Sequence, residues 1–260
     1  MSKFFKVAIV GAGNVAWHLA RALEDAGHCV TDIYSRRITN ARKLATRLYD
    51  TKVTSSLNLK TSEADIFIVA VPDDSIEEVA ASLKIPPYAI VVHTSGTQSI
   101  KALSSYHDNS GIFYPLQTFT KGVTADLKEV PICIEAVHQQ SEEILHLLGN
   151  SISNEVHTVF SEDRKAIHVA AIFACNFSNH MFSIAQEILE RNDIDFRLLH
   201  PLIAETVNKA LAVGADESQT GPARRGDRKT VQKHLKFLRS ESDYRKIYKL
   251  LSEQIKEKYS

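Results

Sequence analysis

The chain has 260 residues, 44% of them hydrophobic and 24% charged, and its 31 Lys and Arg balance 31 Asp and Glu to a formal net charge of zero. That composition excludes a largely disordered chain and argues against nucleic acid as a partner or an acidic solvating tail. Three scattered cysteines, Cys29, Cys133 and Cys175, support neither a disulfide framework nor a thiolate metal site, so a reducing, cytoplasmic setting is expected. The N-terminus lacks the pattern of a signal peptide, and no apolar run is long enough to cross a bilayer, so no membrane partner is expected.

In chain order, residues 6–10 read as a strand, 14–26 as a helix, 28–34 as a second strand and 39–49 as a second helix. A short strand is expected at 52–54, a strong one at 65–71, a helix at 75–83 and another strand at 89–93, after Pro86 and Pro87. This is the alternating rhythm of a mostly parallel sheet covered on both faces. Segments 111–114, 131–135 and 155–160 extend the sheet, with a helix at 141–148. Beyond Ser161 the pattern turns helical, over 162–191, 200–212, 228–238 and 242–256, with Ser161 and Asp227 as expected N-caps and a patternless loop at 214–226. The fold class is therefore α/β, with a dinucleotide-binding domain over 1–160 and an all-helical domain over 161–260.

Between the first strand and first helix stands Gly11, Ala12, Gly13, Asn14, Val15, Ala16, a G-x-G-x-x-A sequence. Gly11 suits the tight turn, Gly13 lets backbone approach a diphosphate, and Ala16 lets the helix pack closely on the sheet. The helix start offers unpaired N–H groups and the positive end of its dipole. The competing reading is a structural turn in another α/β fold. At the end of the second strand, a site for NAD normally carries a carboxylate that holds the ribose diol. Here the strand ends in Ser35, Arg36 and Arg37, and the nearest carboxylate, Asp32, lies inside it. Donors of that kind match a 2′-phosphate and point to NADP; the competing reading makes the two arginines a solvated pair.

Val71 and Pro72, then Asp73 and Asp74, follow the strand at 65–71 where ligands of open α/β sheets collect. Val71 and Pro72 read as cofactor-lining, Asp73 and Asp74 as structural, with Asp74 able to cap the next helix. Thr94 and Ser95 stand in the same position after the next strand and are expected to meet the nicotinamide ribose or a substrate. His93 is either a hydrogen-bonded structural histidine or a substrate contact.

Spacing at 100° places Lys165, His168, Asn176, Asn179, His180, Ser183 and Glu187 on one arc of the long helix, opposite an apolar face. A solvated stripe is one reading. The other is a cleft between domains, where His168, Asn176 and Lys165 would polarise or protonate a substrate and Asn179 would bind it. Metal binding is disfavoured, because no carboxylate joins the histidines in a ligating pattern. On the loop Thr220 to Asp227, Arg224 and Arg225 can clamp an anion, or can be solvated charges of a helix connection.

Taken together, several segments make the chain resemble Rossmann-like proteins with a C-terminal DUF2520 domain. They are Gly11 to Ala16, Val71 to Asp74, His93 to Gly96, Tyr114-Pro115-Leu116-Gln117-Thr118-Phe119, His168 to Ala171 with Asn176 to His180, and Thr220 to Asp227. These proteins are similar to pyrroline-5-carboxylate and ketopantoate reductases and, more distantly, to β-hydroxyacid dehydrogenases. The resemblance implies an NADP-binding domain followed by a helical domain, like the C-terminal domain of 6-phosphogluconate dehydrogenase, that forms a homodimer. It also implies that Asn176 fills the place of the helix asparagine of the dehydrogenases; the lysine usual four residues earlier is Ile172 here. The expected activity is hydride transfer between NADP(H) and a small carbonyl or imine substrate, expected to be anionic given the arginine loop. A non-catalytic NADP(H) sensor is the alternative.

Overall fold

Short runs of β-branched and other apolar residues, bounded by turns, become strands when helices can cover both their faces. In the computed structural model, which describes residues 4–259, β1 (Lys6–Val10), β2 (Cys29–Tyr34), β3 (Lys52–Thr54), β4 (Ile66–Val69), β5 (Ile90–His93), β6 (Ser110–Pro115), β7 (Ile132–Ala136) and β8 (Val156–Thr158) form one eight-stranded sheet. Its order is β3-β2-β1-β4-β5-β6-β7-β8, and every pairing is parallel except β6 with β7. Strand order reverses between β1 and β4, so the carboxyl ends of those strands flank the crevice where such sheets bind ligands.

Helices α1 (Asn14–Asp25), α2 (Ile38–Ala45), α3 (Ile76–Ser82), α4 (Lys101–Ser104) and α5 (Gln139–Ile152) cover the sheet. Period-two alternation sends Val7 and Ile9 to one face, where they pack with Leu19, Leu23, Leu44 and Leu148, and Ala8 and Val10 to the other, with Ile76, Val79 and Leu103. α1, α2 and α5 therefore lie on one face, α3 and α4 on the other.

The chain divides into two compact units, the first ending at Cys175 and the second beginning at Asn176. α6 (Ser161–Ala171) goes with the sheet, because Arg164 and His168 are bonded to strand residues of that unit. Ser161 does not cap α6. The cap position is Phe160, and the Ser161 hydroxyl donates to Glu135 at 2.8 Å. Residues Ile172–Phe177 follow as a π-helix and α7 (Ser178–Glu190) resumes the α form. A π turn holds more residues than an α turn, so 100° spacing does not carry through 172–177 and the seven polar residues do not form one uninterrupted arc. The second unit continues with α8 (His200–Val213), α9 (Ala215–Ser218), α10 (Arg228–Phe237) and α11 (Ser242–Tyr259). α9 interrupts the stretch expected as a patternless loop. Asp227 caps α10 as expected, accepting from the Thr230 amide at 3.1 Å.

Candidate functional site

The turn after β1 meets the end of β4. Gly11 has φ 130°, and a β-carbon there would run into the Ala70 carbonyl, so the bend admits only glycine. A cavity of about 480 Å³ opens over this bend. It brings together Gly11, Ala12, Gly13, Ser35, Arg36, Arg37, Val71 and Pro72 from separate stretches of sequence. Asp32 is buried beneath, accepting from Ser62 at 2.6 Å and from Thr31 at 2.9 Å, so the carboxylate nearest the end of β2 is already engaged. Asn40, Glu78 and Lys121 also line the cavity and were not read from sequence.

Asn14, Val15, Thr94 and Ser95, expected at the cofactor, do not line that cavity. Asn14 instead donates to the Phe119 carbonyl at 2.9 Å. His18, one turn further along α1, donates to the Thr120 carbonyl at 3.0 Å and stacks on Phe119 with ring centroids 4.8 Å apart. These contacts hold the segment after β6 against α1, and from it the Lys121 ammonium donates to the Ala12 carbonyl at 2.7 Å.

Further along the carboxyl edge, the Ser95 hydroxyl donates to Asp73 at 2.7 Å and the Thr97 hydroxyl does so at 2.6 Å. Asp73 is thus structural, as expected, whereas the side chain of Asp74 caps no helix. His93 is fully buried; its Nδ1 accepts from the Ser95 amide at 3.2 Å, which leaves Nε2–H to donate to the Ser99 carbonyl at 3.3 Å. Both ring nitrogens are therefore spent on the loop, and the structural role is the one the contacts support.

Burial pushes His93 down to a pKa of about 4 from an ordinary 6.5. The unfolded chain then binds this proton at a higher pH than the folded one does. The stability contributed is full above pH 6.5 and is lost as pH falls through about 4. Urea unfolding between pH 7 and 4 should show a loss of about 3 kcal/mol from this residue, and His93→Gln should flatten that part of the slope. An unchanged slope would reject the assignment.

Beside this loop, the Tyr114 hydroxyl lies 3.0 Å from Nδ1 of His168. Burial raises the Tyr114 phenol to about 12, so it stays protonated at neutral pH. Gly96 makes room for the pair: a β-carbon there would stand 2.5 Å from His168 Nδ1 and 2.8 Å from Tyr114 Cζ. Arg164, one turn before His168, is completely buried. It donates to Glu135 on β7 and to the Gln98 carbonyl, each at 2.6 Å. α6, β7 and the loop after β5 are thereby tied together. Lys165, by contrast, pairs with Glu162 at 2.8 Å, in a surface contact within its own helix.

In the second unit Asn179 and His180 are exposed on α7, and Asn176 is exposed in the π-helical segment. Arg224 lies over the Tyr259 ring, 4.3 Å from its centroid, and Arg225 is exposed. Among the described residues no group of three or more His, Cys, Asp or Glu is placed to hold a metal, and no helix is long and apolar enough to cross a membrane.

Two family models match the chain, a Rossmann-like domain over residues 2–117 and a domain of unknown function, DUF2520, over residues 130–255. A candidate NADP oxidoreductase from Bacteroides fragilis is 34% identical to this chain, with 97% of this chain and 98% of that one covered and a TM-score of 0.90. The chain belongs to the Rossmann-like DUF2520 family. More remote structures share the family's fold. An imine reductase from Myxococcus stipitatus in complex with NADP+ is 14% identical, with 97% and 93% of the two chains covered and a TM-score of 0.68. A 1-pyrroline-5-carboxylate reductase from Streptococcus pyogenes is also 14% identical, with 98% and 99% covered and a TM-score of 0.63. A comparison with curated proteins returns no match.

Proposed function

We propose that this DUF2520 protein is an NADP(H)-dependent oxidoreductase that transfers a hydride to or from a small carbonyl or imine, with an anionic group on the substrate. The observation that carries the reading is one cavity shared by the glycine bend and by Ser35, Arg36 and Arg37, with Asp32 engaged elsewhere. The residues fit the cofactor: the bend has no room for a β-carbon at Gly11, and donors rather than a carboxylate end β2. The NADP named for the imine reductase in complex supports the same choice.

When bound, the nicotinamide exchanges the hydride. A substrate gaining a hydride at carbon also needs a proton at oxygen or nitrogen, and His168 is the group we assign to it. We assign the Tyr114 hydroxyl as the donor to Nδ1, which leaves Nε2–H of His168 to face the substrate; as that proton transfers, the Tyr114 proton follows onto Nδ1, so no imidazolate is left, and water re-protonates the phenolate. β1, β4, β5 and β6 run parallel, so Gly11, Pro72, Gly96 and Tyr114 all stand at one edge of the sheet. A dinucleotide crossing that edge from Arg36 would bring its reactive ring toward the Tyr114–His168 end. Asn176 remains our proposed polarising residue and Asn179, Arg224 and Arg225 our proposed substrate contacts, while Lys165 on α6 is a weaker catalytic candidate because Glu162 already holds it. A homodimer through that unit belongs to the same reading, supported by α8, which buries no residue and leaves Leu202, Val207, Leu211 and Val213 exposed.

Arg36→Ala should weaken NADPH by about tenfold or more and NADH by less than about twofold in calorimetric titrations. Equal losses would remove the 2′-phosphate role. Tight NADPH binding without turnover of any carbonyl or imine would favour the sensor alternative.

A further inference from the structure

We infer that Lys121 is a diphosphate-binding residue, delivered over the glycine bend by the segment that follows β6. The inference rests on the dinucleotide reading above and adds a contact that lies outside the glycine motif. The Lys121 ammonium is 2.7 Å from the carbonyl oxygen of Ala12, the residue between the two glycines of the bend, and Lys121 lines the same cavity as Gly11, Gly13 and Arg36. Among the described residues it is paired with no carboxylate.

Its position is held by the residues before it. The two residues before it are bonded through their carbonyls to Asn14 and His18, and Phe119 stacks on His18, so the chain cannot drift from the first two turns of α1. Beyond the backbone bond, the ammonium packs 5.7 Å from the centroid of the Trp17 ring. An ammonium has three donors, and one bond to a neutral carbonyl leaves two unspent. A lysine held beside unpaired helix N–H groups, with spare donors and no anionic partner, is suited to a phosphate oxygen. Asn14 acquires a role on this account: instead of touching cofactor, it holds the segment that carries Lys121.

The diphosphate is common to NADP and NAD, whereas adenosine 2′-phosphate lacks it. Lys121→Gln should therefore weaken NADPH and NADH by the same factor, about tenfold, and leave adenosine 2′-phosphate unchanged. Lys121→Arg should keep most of the affinity. The loss in Lys121→Gln should shrink as salt rises, as expected for an exposed charge. If the wild-type chain binds NADPH and Lys121→Gln binds it equally well, the clamp is wrong and the coenzyme reading stands. If Lys121→Gln weakens adenosine 2′-phosphate as much as NADPH, the contact is not with the diphosphate and the inference also fails. If the wild-type chain binds neither coenzyme, the coenzyme reading fails and the clamp falls with it.

Discussion

Arg164→Met is expected to destabilise the sheet unit by about 3–5 kcal/mol, the cost of leaving a buried carboxylate without its partner. The Arg164 side chain has no exposed surface, and its guanidinium supplies the 2.6 Å bond to Glu135 and the 2.6 Å bond to the Gln98 carbonyl. Removing it strands Glu135 with only the Ser161 hydroxyl and releases both the loop after β5 and the first turn of α6. The double variant Arg164→Met with Glu135→Leu should recover most of the loss, because apolar replacement of a whole buried pair is often close to neutral. Trp17 is the single tryptophan and lies in α1, so its fluorescence follows unfolding of this unit in urea. A single variant within about 1 kcal/mol of wild type would show that the pair is incidental. A double variant as unstable as the single would place the main loss in the Gln98 contact instead.

That pair was invisible in the sequence, and the reason is separation. Arg164 meets Glu135 across 29 positions and Gln98 across 66, and Tyr114 meets His168 across 54. No local pattern encodes such contacts. The glycine bend, by contrast, is a contiguous motif, and Ser35, Arg36 and Arg37 sit where strand geometry alone predicts a ribose or phosphate contact. Strand identity was equally local: period-two alternation and double burial located β1 through β8, even the three-residue β3. Lys121 reaches Ala12 across 109 positions and follows the Tyr114 to Phe119 stretch that carried part of the family resemblance. That stretch was the available signal, and it named a segment without naming a task. The polar stripe was misplaced for a different reason. Regular spacing was extended through Ile172–Phe177, where the backbone takes π-helical form, and a periodicity argument holds only while the period does.

Gly96→Ala should lower turnover by about a hundredfold while changing NADPH affinity by less than about twofold, since Gly96 lies outside the nucleotide cavity. The added carbon would enter the space of His168 Nδ1 and Tyr114 Cζ, so one ring must swing away and the 3.0 Å bond between them must break. Tyr114→Phe separates steric displacement from loss of the hydroxyl: it leaves room for His168 but removes the group that selects its tautomer. Nitrogen-15 spectra of the histidine rings should show His168 with its proton on Nε2 in the wild type and a mixture of tautomers in Tyr114→Phe, a result that needs no substrate. Turnover in Tyr114→Phe should fall less than in Gly96→Ala, because the imidazole keeps its place and carries its proton on Nε2 for part of the time. Should His168 prove to carry its proton on Nδ1 in the wild type, Tyr114 would be its acceptor, and the free Nε2 would draw a proton from the substrate. That outcome would overturn the assignment of His168 as the donor of the substrate proton.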